Sequence, residues 1–374
     1  MATNYSSAEE SANQPIADRE EKIEGLQSRG EGLGDYPIDE LLIRHETRTV
    51  HDVLRRIEEK RYIMDPDFQR DFVWDTEKQS RLIESVLMRI PLPVFYLAED
   101  DQGRMIVVDG LQRISTFHRF RDNRLKLKLP KNEELNDQTF DDLLPKHQNR
   151  IEDFNLIFYI VDPKAPDRAR LDIFERVNSG EPLSRQQMRN ALYSGSATKF
   201  LKEESESQIF KQATGGSLNK KTMRDREFVN RFCSFYMLGV DAYKDDMDEF
   251  LAEGLKGMNN MGIKDLEDLS KVFRQSLINN FKIFDKHSFR KSIANDDGRR
   301  SVLNASLWDV MSTELAKHTP EIVTANKEAI KGTIISLLKN EEFVDTITLA
   351  TGDARKIRTR FQLTRSALKE ALSC

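Results

Sequence analysis

Cysteine, histidine and long apolar segments are all scarce in this chain of 374 residues. Its two cysteines, Cys233 and Cys374, are too few for a disulfide framework or, by themselves, a zinc site. No run of about 18 apolar residues and no basic-then-apolar leader occurs, so we expect neither a membrane span nor a secretory signal. These absences indicate a soluble protein in a reducing, cytoplasmic setting, with no membrane partner.

Excess charge is confined to the start of the chain. The sequence has 58 basic and 63 acidic residues, a formal charge of −5. Residues 1–35 contain eight of the acids and three of the bases, which leaves residues 36–374 neutral. A neutral body excludes a protein held on nucleic acid by bulk charge, although local basic patches can still act. The Ser-, Glu- and Gly-rich residues 1–35 are predicted to be a disordered acidic tail.

Hydrophobic periodicity divides the remainder into an α+β part and a helical part. Over residues 36–200, short β-prone runs alternate with helical patterns, which is typical of an α+β domain. A polar, Gly-containing stretch over residues 201–221 predicts a loop or linker, and residues 222–374 predict an all-helical domain. Asp75 is a candidate N-cap, and Ser184 forms a candidate capping box with the glutamine three residues later.

The sharpest chemical feature is residues 106–116, where a buried strand passes directly through Asp109-Gly110 into a helix. Glycine lets a ligand approach the backbone, and a helix start offers unpaired N–H groups and the positive end of its dipole. Gln112 and Arg113 lie in the first turn, where they could grip phosphate oxygens. Hydroxyls nearby come from Ser115 and Thr116.

The same residues also fit a purely structural role. Asp109 is a good N-cap, Gln112 completes a capping pair, and Arg113 would then be a surface cation. Alternatively, Asp109 could hold a metal ion or orient a water. The pattern alone leaves both interpretations open.

Two further segments stand out. A Gln-Arg pair, Gln69-Arg70, is surrounded by aromatic residues, and the alternative to a binding role is a buried aromatic plug in which Arg70 pairs with an acid. Residues 174–184 contain Asn178-Ser179-Gly180 between two helical patterns, which alone would be a helix C-cap followed by an N-cap.

Taken together and in this order, these motifs resemble the N-terminal domain of GmrSD-type modification-dependent restriction endonucleases, a branch of the ParB/sulfiredoxin-like nucleotide-binding fold. The resemblance is dense over residues 40–195 and continues weakly to Phe232. The motifs that carry it are Gln69-Arg70-x-Phe72-Val73-Trp74, Gln79-Ser80-x-Leu82-Ile83-Glu84-Ser85, Ile90-Pro91-x-Pro93, Val108-Asp109-Gly110-x-Gln112-Arg113 and Phe174-x-Arg176-x-Asn178-Ser179-Gly180.

The resemblance implies a short mixed sheet and an NTP-binding, NTP-hydrolysing domain that controls a nuclease in restriction and antiviral defence. The expected ligand is GTP or ATP with Mg²⁺. Leu111 stands where the family usually has a glutamine, which leaves turnover more open than binding. The implied catalytic residues are Asp109, Gln112 and Arg113. The implied nucleotide-binding residues are Gln69, Arg70, Gly110, Ser115, Thr116 and Asn178.

Family members that cut DNA usually carry a C-terminal HNH nuclease, which needs clustered histidine and asparagine ligands. The six histidines here are scattered, and only His287 and His318 lie beyond residue 200. We therefore expect no HNH site in this chain. The hydrolase activity that the resemblance implies is that on NTP, and a separately encoded nuclease or effector is a candidate partner.

The C-terminal residues 355–369 are basic and predict a cationic helix that could touch DNA phosphates. A solvated helix end or a partner-docking face fits equally well. Two alternatives to an NTP-binding regulator thus remain, a non-enzymatic DNA-binding module and a ParB-like nuclease. The DNA-contact candidates are Arg355, Lys356, Arg358 and Arg360.

Overall fold

One mixed sheet occupies the N-terminal part of the protein, and helices make up the rest. The computed structural model describes residues 23–26, 43–64, 74–100, 102–177, 184–295 and 298–372. Within these ranges the protein has five strands and sixteen α-helices, and every strand precedes residue 162. The predicted α+β class is confirmed.

The sheet joins strands that are far apart in sequence, in the order β1-β5-β3-β4-β2. β1 is antiparallel to β5, β5 is parallel to β3, β3 is antiparallel to β4, and β4 is parallel to β2. This order places the C-terminal end of β4 at the same end of the sheet as the N-terminal ends of β3 and β5. The strands are β1 (Ile43–Thr49), β2 (Tyr62–Ile63), β3 (Phe95–Glu99), β4 (Met105–Asp109) and β5 (Asn155–Val161).

Four helices cover one face of the sheet. Their apolar side chains form a single core with sheet residues such as Leu97, Val107 and Phe158, all of which are buried. Asp75 Oδ1 accepts a hydrogen bond from the N–H of Lys78 at 2.8 Å, which confirms the predicted N-cap. The helices are α1 (Val50–Glu58), α2 (Thr76–Leu87), α3 (Leu111–Arg121) and α4 (Pro145–Glu152).

Two more helices, α5 (Asp167–Val177) and α6 (Arg185–Leu192), lie against part of the other face. Ile106 of the sheet and Met188 of α6 belong to a second core, which continues into the helical part of the chain. Ser184 forms the predicted capping box at the start of α6, since its Oγ accepts the N–H of Gln187 and its own N–H donates to Gln187 Oε1.

The helical part is centred on Trp308, which is fully buried. Its ring centroid lies 4.6 to 6.3 Å from the rings of four phenylalanines, Phe210, Phe228, Phe273 and Phe289. The helices are α7 (Ser196–Glu206), α8 (Gln208–Thr214), α9 (Arg224–Leu238), α10 (Met247–Asn259), α11 (Ile263–Phe284), α12 (Ala305–Leu315), α13 (Pro320–Ala325), α14 (Lys327–Leu337), α15 (Glu341–Thr348) and α16 (Ala354–Leu372).

The predicted loop over residues 201–221 is wrong for most of its length, because α7 and α8 occupy it. Leu201 and Phe210 are buried in the helical core, whereas Glu203 and Glu206 between them are exposed. Gly215 ends α8 with φ of +69°. The division of the chain into domains at these boundaries stays a prediction.

Residues 23–26 contradict the prediction of a wholly disordered tail. The N–H of Glu24 donates to the carbonyl of Leu303 at 2.9 Å, and the carbonyl of Glu24 accepts the N–H of Ala305 at 2.8 Å. The Glu24 carboxylate pairs with Lys291 at 2.9 Å. Two apolar side chains in four residues are enough to dock this piece on the helical core. The rest of the predicted tail lies outside the described residues.

Candidate functional site

The turn between β4 and α3 depends on a close backbone approach. Gly110 lies between Asp109, the end of β4, and Leu111, the start of α3, and its φ is +100°. A Cβ atom on Gly110 would lie 2.3 Å from Cδ1 of Phe95 and 3.1 Å from Nη2 of Arg113. Both the left-handed backbone and the lack of space therefore require glycine.

Arg113 is buried beneath this turn, with 8% of its surface exposed. Its Nη2 lies 2.6 Å from Asp109 Oδ2 and donates to the carbonyl of Val94 at 3.1 Å, while Nη1 donates to the carbonyl of Pro93. Its Cζ lies 4.1 Å from the ring centroid of Phe95. Burial lowers the pKa of Arg113, and the Asp109 carboxylate offsets part of that effect. The interpretation of Arg113 as a surface cation is wrong, because its guanidinium holds the turn against the start of β3.

Asp109 does not cap α3, so the capping interpretation is also wrong. Gly110 occupies the N-cap position, and no side-chain cap bonds to the first turn within the described residues. The Asp109 side chain is 35% exposed and pairs with Arg113 through Oδ2. Its Oδ1 has no hydrogen-bond partner among the described residues. The turn thus presents a half-exposed carboxylate beside helix N–H groups that no described side chain caps.

Gln112 connects the second motif to the turn. Its Oε1 accepts a hydrogen bond from the backbone N–H of Trp74 at 3.2 Å. Trp74 is the last residue of the aromatic-flanked motif, so this bond brings the end of that motif to the start of α3. Gln69 and Arg70 lie outside the described residues, and their place in the pocket stays a prediction.

The remaining predicted contacts on α3 and α5 differ in outcome. Thr116 is buried, and its Oγ1 donates to the carbonyl of Gln112 at 2.7 Å. Its predicted ligand contact is therefore wrong. Ser115 is half-buried and stays a candidate. Asn178 follows the end of α5 and lies outside the described residues. Leu111, the departure from the family pattern, is 8% exposed and packs into the core beside the sheet.

A row of aromatic side chains crosses the sheet and ends at Asp109. The strand register pairs His45 with Tyr159, Tyr159 with Tyr96, and Tyr96 with Asp109. The ring centroids are 5.7 Å apart both for His45 with Tyr159 and for Tyr159 with Tyr96. We call His45, Tyr159 and Tyr96 the aromatic row. Adjacent strands lie about 4.8 Å apart, so the backbone of Tyr159 is about 10 Å from that of Asp109.

A β-bulge brings Asp109 into line with this row. Leu97 pairs with Val107 while Tyr96 pairs with Asp109, so the register shifts by one residue between the two pairs. Without the shift, Val108 would lie opposite Tyr96, and Asp109 would belong to the other side of the sheet. The bulge therefore places the backbone of Asp109 opposite Tyr96 at the end of the aromatic row, while the Asp109 carboxylate contacts Arg113 of α3.

The aromatic row lies on the part of the sheet face that α5 and α6 leave open. Tyr159 is 36% exposed, and Ile157, two residues earlier on the same face of β5, is 40% exposed. Further along the same face, Ala98 and Val161 are completely buried in the second core. The open part thus has aromatic and apolar side chains in contact with solvent.

The aromatic row was not predicted from the sequence, because its three rings come from strands that lie far apart along the chain. A signal was present in residues 155–161. Leu156, Phe158 and Ile160 alternate with Ile157 and Tyr159, so neither face of β5 is polar. A strand that is apolar on both faces is expected to be covered on both of them.

Among the DNA-contact candidates, the prediction for Arg360 is wrong. Arg360 is fully buried, and its Nη2 lies 3.1 Å from Asp309 Oδ2, which Arg231 also contacts at 2.6 Å. Burial lowers the pKa of Arg360 to about 10, so it stays charged at neutral pH. Arg360 therefore holds α16 to α12 and cannot reach a DNA phosphate.

The other three candidates lie nearer the surface. Arg355 is 90% exposed, and Lys356 pairs with Asp345 at 2.7 Å. Arg358 is exposed and donates to the carbonyl of Tyr243 at 3.2 Å. Their contact with DNA stays a prediction. Within the described ranges, no three His, Cys, Asp or Glu side chains are grouped so as to hold a metal ion, and no helix is long and apolar enough to cross a membrane.

Comparison with known proteins identifies the part of the chain that carries the site. Residues 50–194 match the family model of the GmrSD restriction endonuclease, N-terminal domain. This range runs from α1 to just beyond α6 and includes β2 to β5, together with the Asp109–Arg113 turn. No curated protein and no solved structure matches the chain. The match confirms the resemblance drawn from the motifs and associates the chain with restriction and defence systems. Residues 50–194 are therefore similar to the N-terminal domain of the GmrSD restriction endonuclease, and they contain the whole β4–α3 turn.

Proposed function

We propose that this protein binds a nucleoside triphosphate, ATP or GTP, at the β4–α3 turn and regulates a separately encoded nuclease or effector in bacterial restriction and antiviral defence. The observation that carries the proposal is the first turn of α3, which no described side chain caps, next to the half-exposed carboxylate of Asp109. Helix N–H groups and the helix dipole favour a phosphate at this position. Because Gly110 has no side chain, the phosphate can approach the backbone closely.

The Asp109–Arg113 pair makes this turn compatible with an anion. A bare carboxylate would repel phosphate oxygens, but the Arg113 guanidinium at 2.6 Å compensates its charge. Arg113 thus acts as a positioning residue that orients Asp109, and the phosphate contacts fall to backbone N–H groups.

The residues at the turn also suit the Mg²⁺ that accompanies a nucleotide. Mg²⁺ binds through one or two carboxylates together with substrate phosphates, and it keeps several waters. Asp109 offers one such oxygen, Oδ1, which has no partner among the described residues. When bound, the ion would neutralise charge on the phosphate oxygens.

We propose slow hydrolysis as the second part of the function. The family glutamine at the first position after Gly110 is replaced here by Leu111, which packs into the core. A side chain that points into the core cannot orient the attacking water. Turnover would then depend on Asp109 and on the nucleotide's own Mg²⁺, so it should be much slower than binding.

Calorimetric titration of ATP and GTP with Mg²⁺ tests the proposal. Nucleotide at about 100 times its dissociation constant should stabilise the fold by about 2.7 kcal/mol. Asp109→Asn keeps the shape of the side chain but removes the charge, so Mg²⁺-nucleotide affinity should fall by about tenfold. Asp137→Asn, on a carboxylate that is 70% exposed, is the matched control and should change nothing. If neither nucleotide binds the wild type at millimolar concentration, the proposal is wrong.

A cleavage assay separates this function from a nuclease. We expect the purified chain to leave phage and modified DNA intact with Mg²⁺ or Mn²⁺. Efficient cleavage that is lost in Asp109→Asn would instead establish a ParB-like nuclease.

A further inference from the structure

The aromatic row makes none of the proposed phosphate contacts, which come from the β4–α3 turn. Its rings belong to three different strands, yet they form one line that stops at Asp109. Tyr159 and His45 are exposed, whereas large apolar surfaces in soluble proteins are usually covered. An exposed line of rings that leads to the proposed phosphate-binding turn calls for a ligand with a flat apolar end and an anionic end.

Geometry restricts what such a ligand can be. The backbone of Tyr159 lies about 10 Å from that of Asp109, because two strand spacings separate them. A nucleoside triphosphate in an extended conformation has this reach between its base and its terminal phosphates. Tyr96 lies between the two ends, where the ribose would cross the sheet.

The chemistry of the rings matches a nucleobase. Aromatic side chains bind bases by stacking, which depends on the π face and tolerates different bases. His45 and Tyr159 add a ring nitrogen and a hydroxyl, which can form hydrogen bonds to the edge of a base. Purines offer the larger stacking surface and should bind more tightly than pyrimidines.

We infer that the aromatic row is the base-binding part of the nucleotide site, with a purine stacked at Tyr159 and the triphosphate directed to the start of α3. This inference rests on the proposed function, since it takes the phosphates to lie at the Asp109–Gly110 turn. It adds a binding surface made of His45, Tyr159 and Tyr96.

Titration of ATP, CTP and inorganic tripolyphosphate into the full-length chain tests the inference. Tyr159→Ala should weaken ATP binding by about five- to a hundredfold and leave tripolyphosphate binding within twofold of wild type. Tyr159→Phe keeps the ring and should retain most of the affinity. Tyr236→Ala is the matched control, because Tyr236 is 38% exposed and lies on α9 in the helical part. Melting curves for each variant show whether the fold survives, and Tyr159→Leu replaces Tyr159→Ala if it does not.

Each possible outcome supports or overturns the inference. Loss of ATP affinity in Tyr159→Ala, with tripolyphosphate unaffected, supports it. Equal affinity of ATP and tripolyphosphate for the wild type, or an unchanged ATP affinity in Tyr159→Ala, overturns it while the phosphate site stands. A change of oligomeric state in Tyr159→Ala without a change in ATP affinity would assign the row to contacts between copies of the chain. If neither ligand binds the wild type, the proposed function fails as well.

Discussion

Asp109 and Asp309 each pair with an arginine that is buried, but the surroundings of the two carboxylates differ. Asp309 is fully buried and lies between two guanidinium groups, those of Arg231 and Arg360. Asp109 is 35% exposed, pairs with Arg113 through one oxygen, and lies opposite an aromatic side chain. The arginine is buried at both sites, so burial of the arginine does not distinguish a structural ion pair from a candidate functional one. What separates them is whether the carboxylate keeps an oxygen at the surface.

This difference changes the free-energy cost of removing each carboxylate. A buried ion pair is costly to break from one side, because the partner is left charged and without solvent. At Asp309 the cost falls on two guanidinium groups, whereas at Asp109 water can reach the vacated space. The four predictions that follow compare these sites and their neighbours, from the largest expected effect to the smallest.

Replacement of the two aspartates should separate the sites most clearly. Asp309→Ala leaves Arg231 and Arg360 buried without a counter-ion, so we expect the free energy of unfolding to fall by about 4 kcal/mol. Asp109→Ala should cost only about 1–2 kcal/mol, because Arg113 keeps its two carbonyl acceptors. Urea unfolding followed by circular dichroism measures both. Equal losses would show that Asp109 is as structural as Asp309.

Gly110→Ala should be the next most damaging change. A Cβ there meets the Phe95 ring at 2.3 Å and forces a non-glycine residue to φ of +100°, for which we expect about 3 kcal/mol. Gly239→Ala is the control, because Gly239 has φ of +78° and a Cβ atom there would meet no described atom within 4 Å. The control should lose only the backbone contribution of about 1–2 kcal/mol. A similar loss of stability in both variants would mean that close packing at the turn contributes nothing.

Arg113→Ala should destabilise the protein rather than only weaken ligand binding. The substitution removes two bonds to carbonyl groups and the pair with Asp109, for which we expect a loss of about 2–3 kcal/mol in urea unfolding. Arg119→Ala, on the same helix α3 and with no ion pair among the described residues, should stay within about 0.5 kcal/mol of wild type. A stable Arg113→Ala that has lost nucleotide affinity would return Arg113 to direct phosphate contact.

A third carboxylate, that of Asp225, is buried without being part, among the described residues, of a paired site like those of Asp109 and Asp309. Burial is the largest influence on its pKa. Asp225 is 5% exposed, and burial raises its pKa above the ordinary value. A carboxyl group with a raised pKa binds its proton more tightly in the folded state, so the protein loses stability as pH rises through that pKa. Asp225→Asn should therefore be slightly more stable than wild type at pH 7, and the difference should vanish below about pH 4. Thermal melts of both proteins between pH 3.5 and 7.5, roughly the interval around the ordinary carboxyl pKa and above it, measure this. A wild type that is the more stable at neutral pH would contradict it.

Local sequence patterns were sufficient to predict single helix caps and one strand-to-helix transition. Asp75 and Ser184 cap helices as their neighbours indicated, and the strand–Asp-Gly–helix transition lies where the residues placed it. These features depend on residues three or four positions apart, which a sequence displays directly. The predicted loop at residues 201–221 failed because its Gly and Glu content concealed the buried residues Leu201 and Phe210.

The candidate site was predicted only in part, because it depends on pairing between distant strands. The aromatic row joins His45, Tyr96 and Tyr159, and no local pattern specifies that register. Arg360 is different, since its burial could have been predicted. It lies between Ile357 and Thr364 on the apolar stripe of α16, and both of these neighbours are buried. A charged residue on an apolar stripe predicts a buried partner.

The two tryptophans lie in different parts of the protein, so their fluorescence can report on each part separately. Trp308 is enclosed by four phenylalanines, so its fluorescence should be blue-shifted and should respond when the helical part melts. Trp74 is half-buried, and its backbone N–H donates to Gln112, so its emission should respond to events at the turn. In Trp308→Phe all tryptophan emission would come from Trp74, and ligand titrations could then be followed by fluorescence without any attached dye.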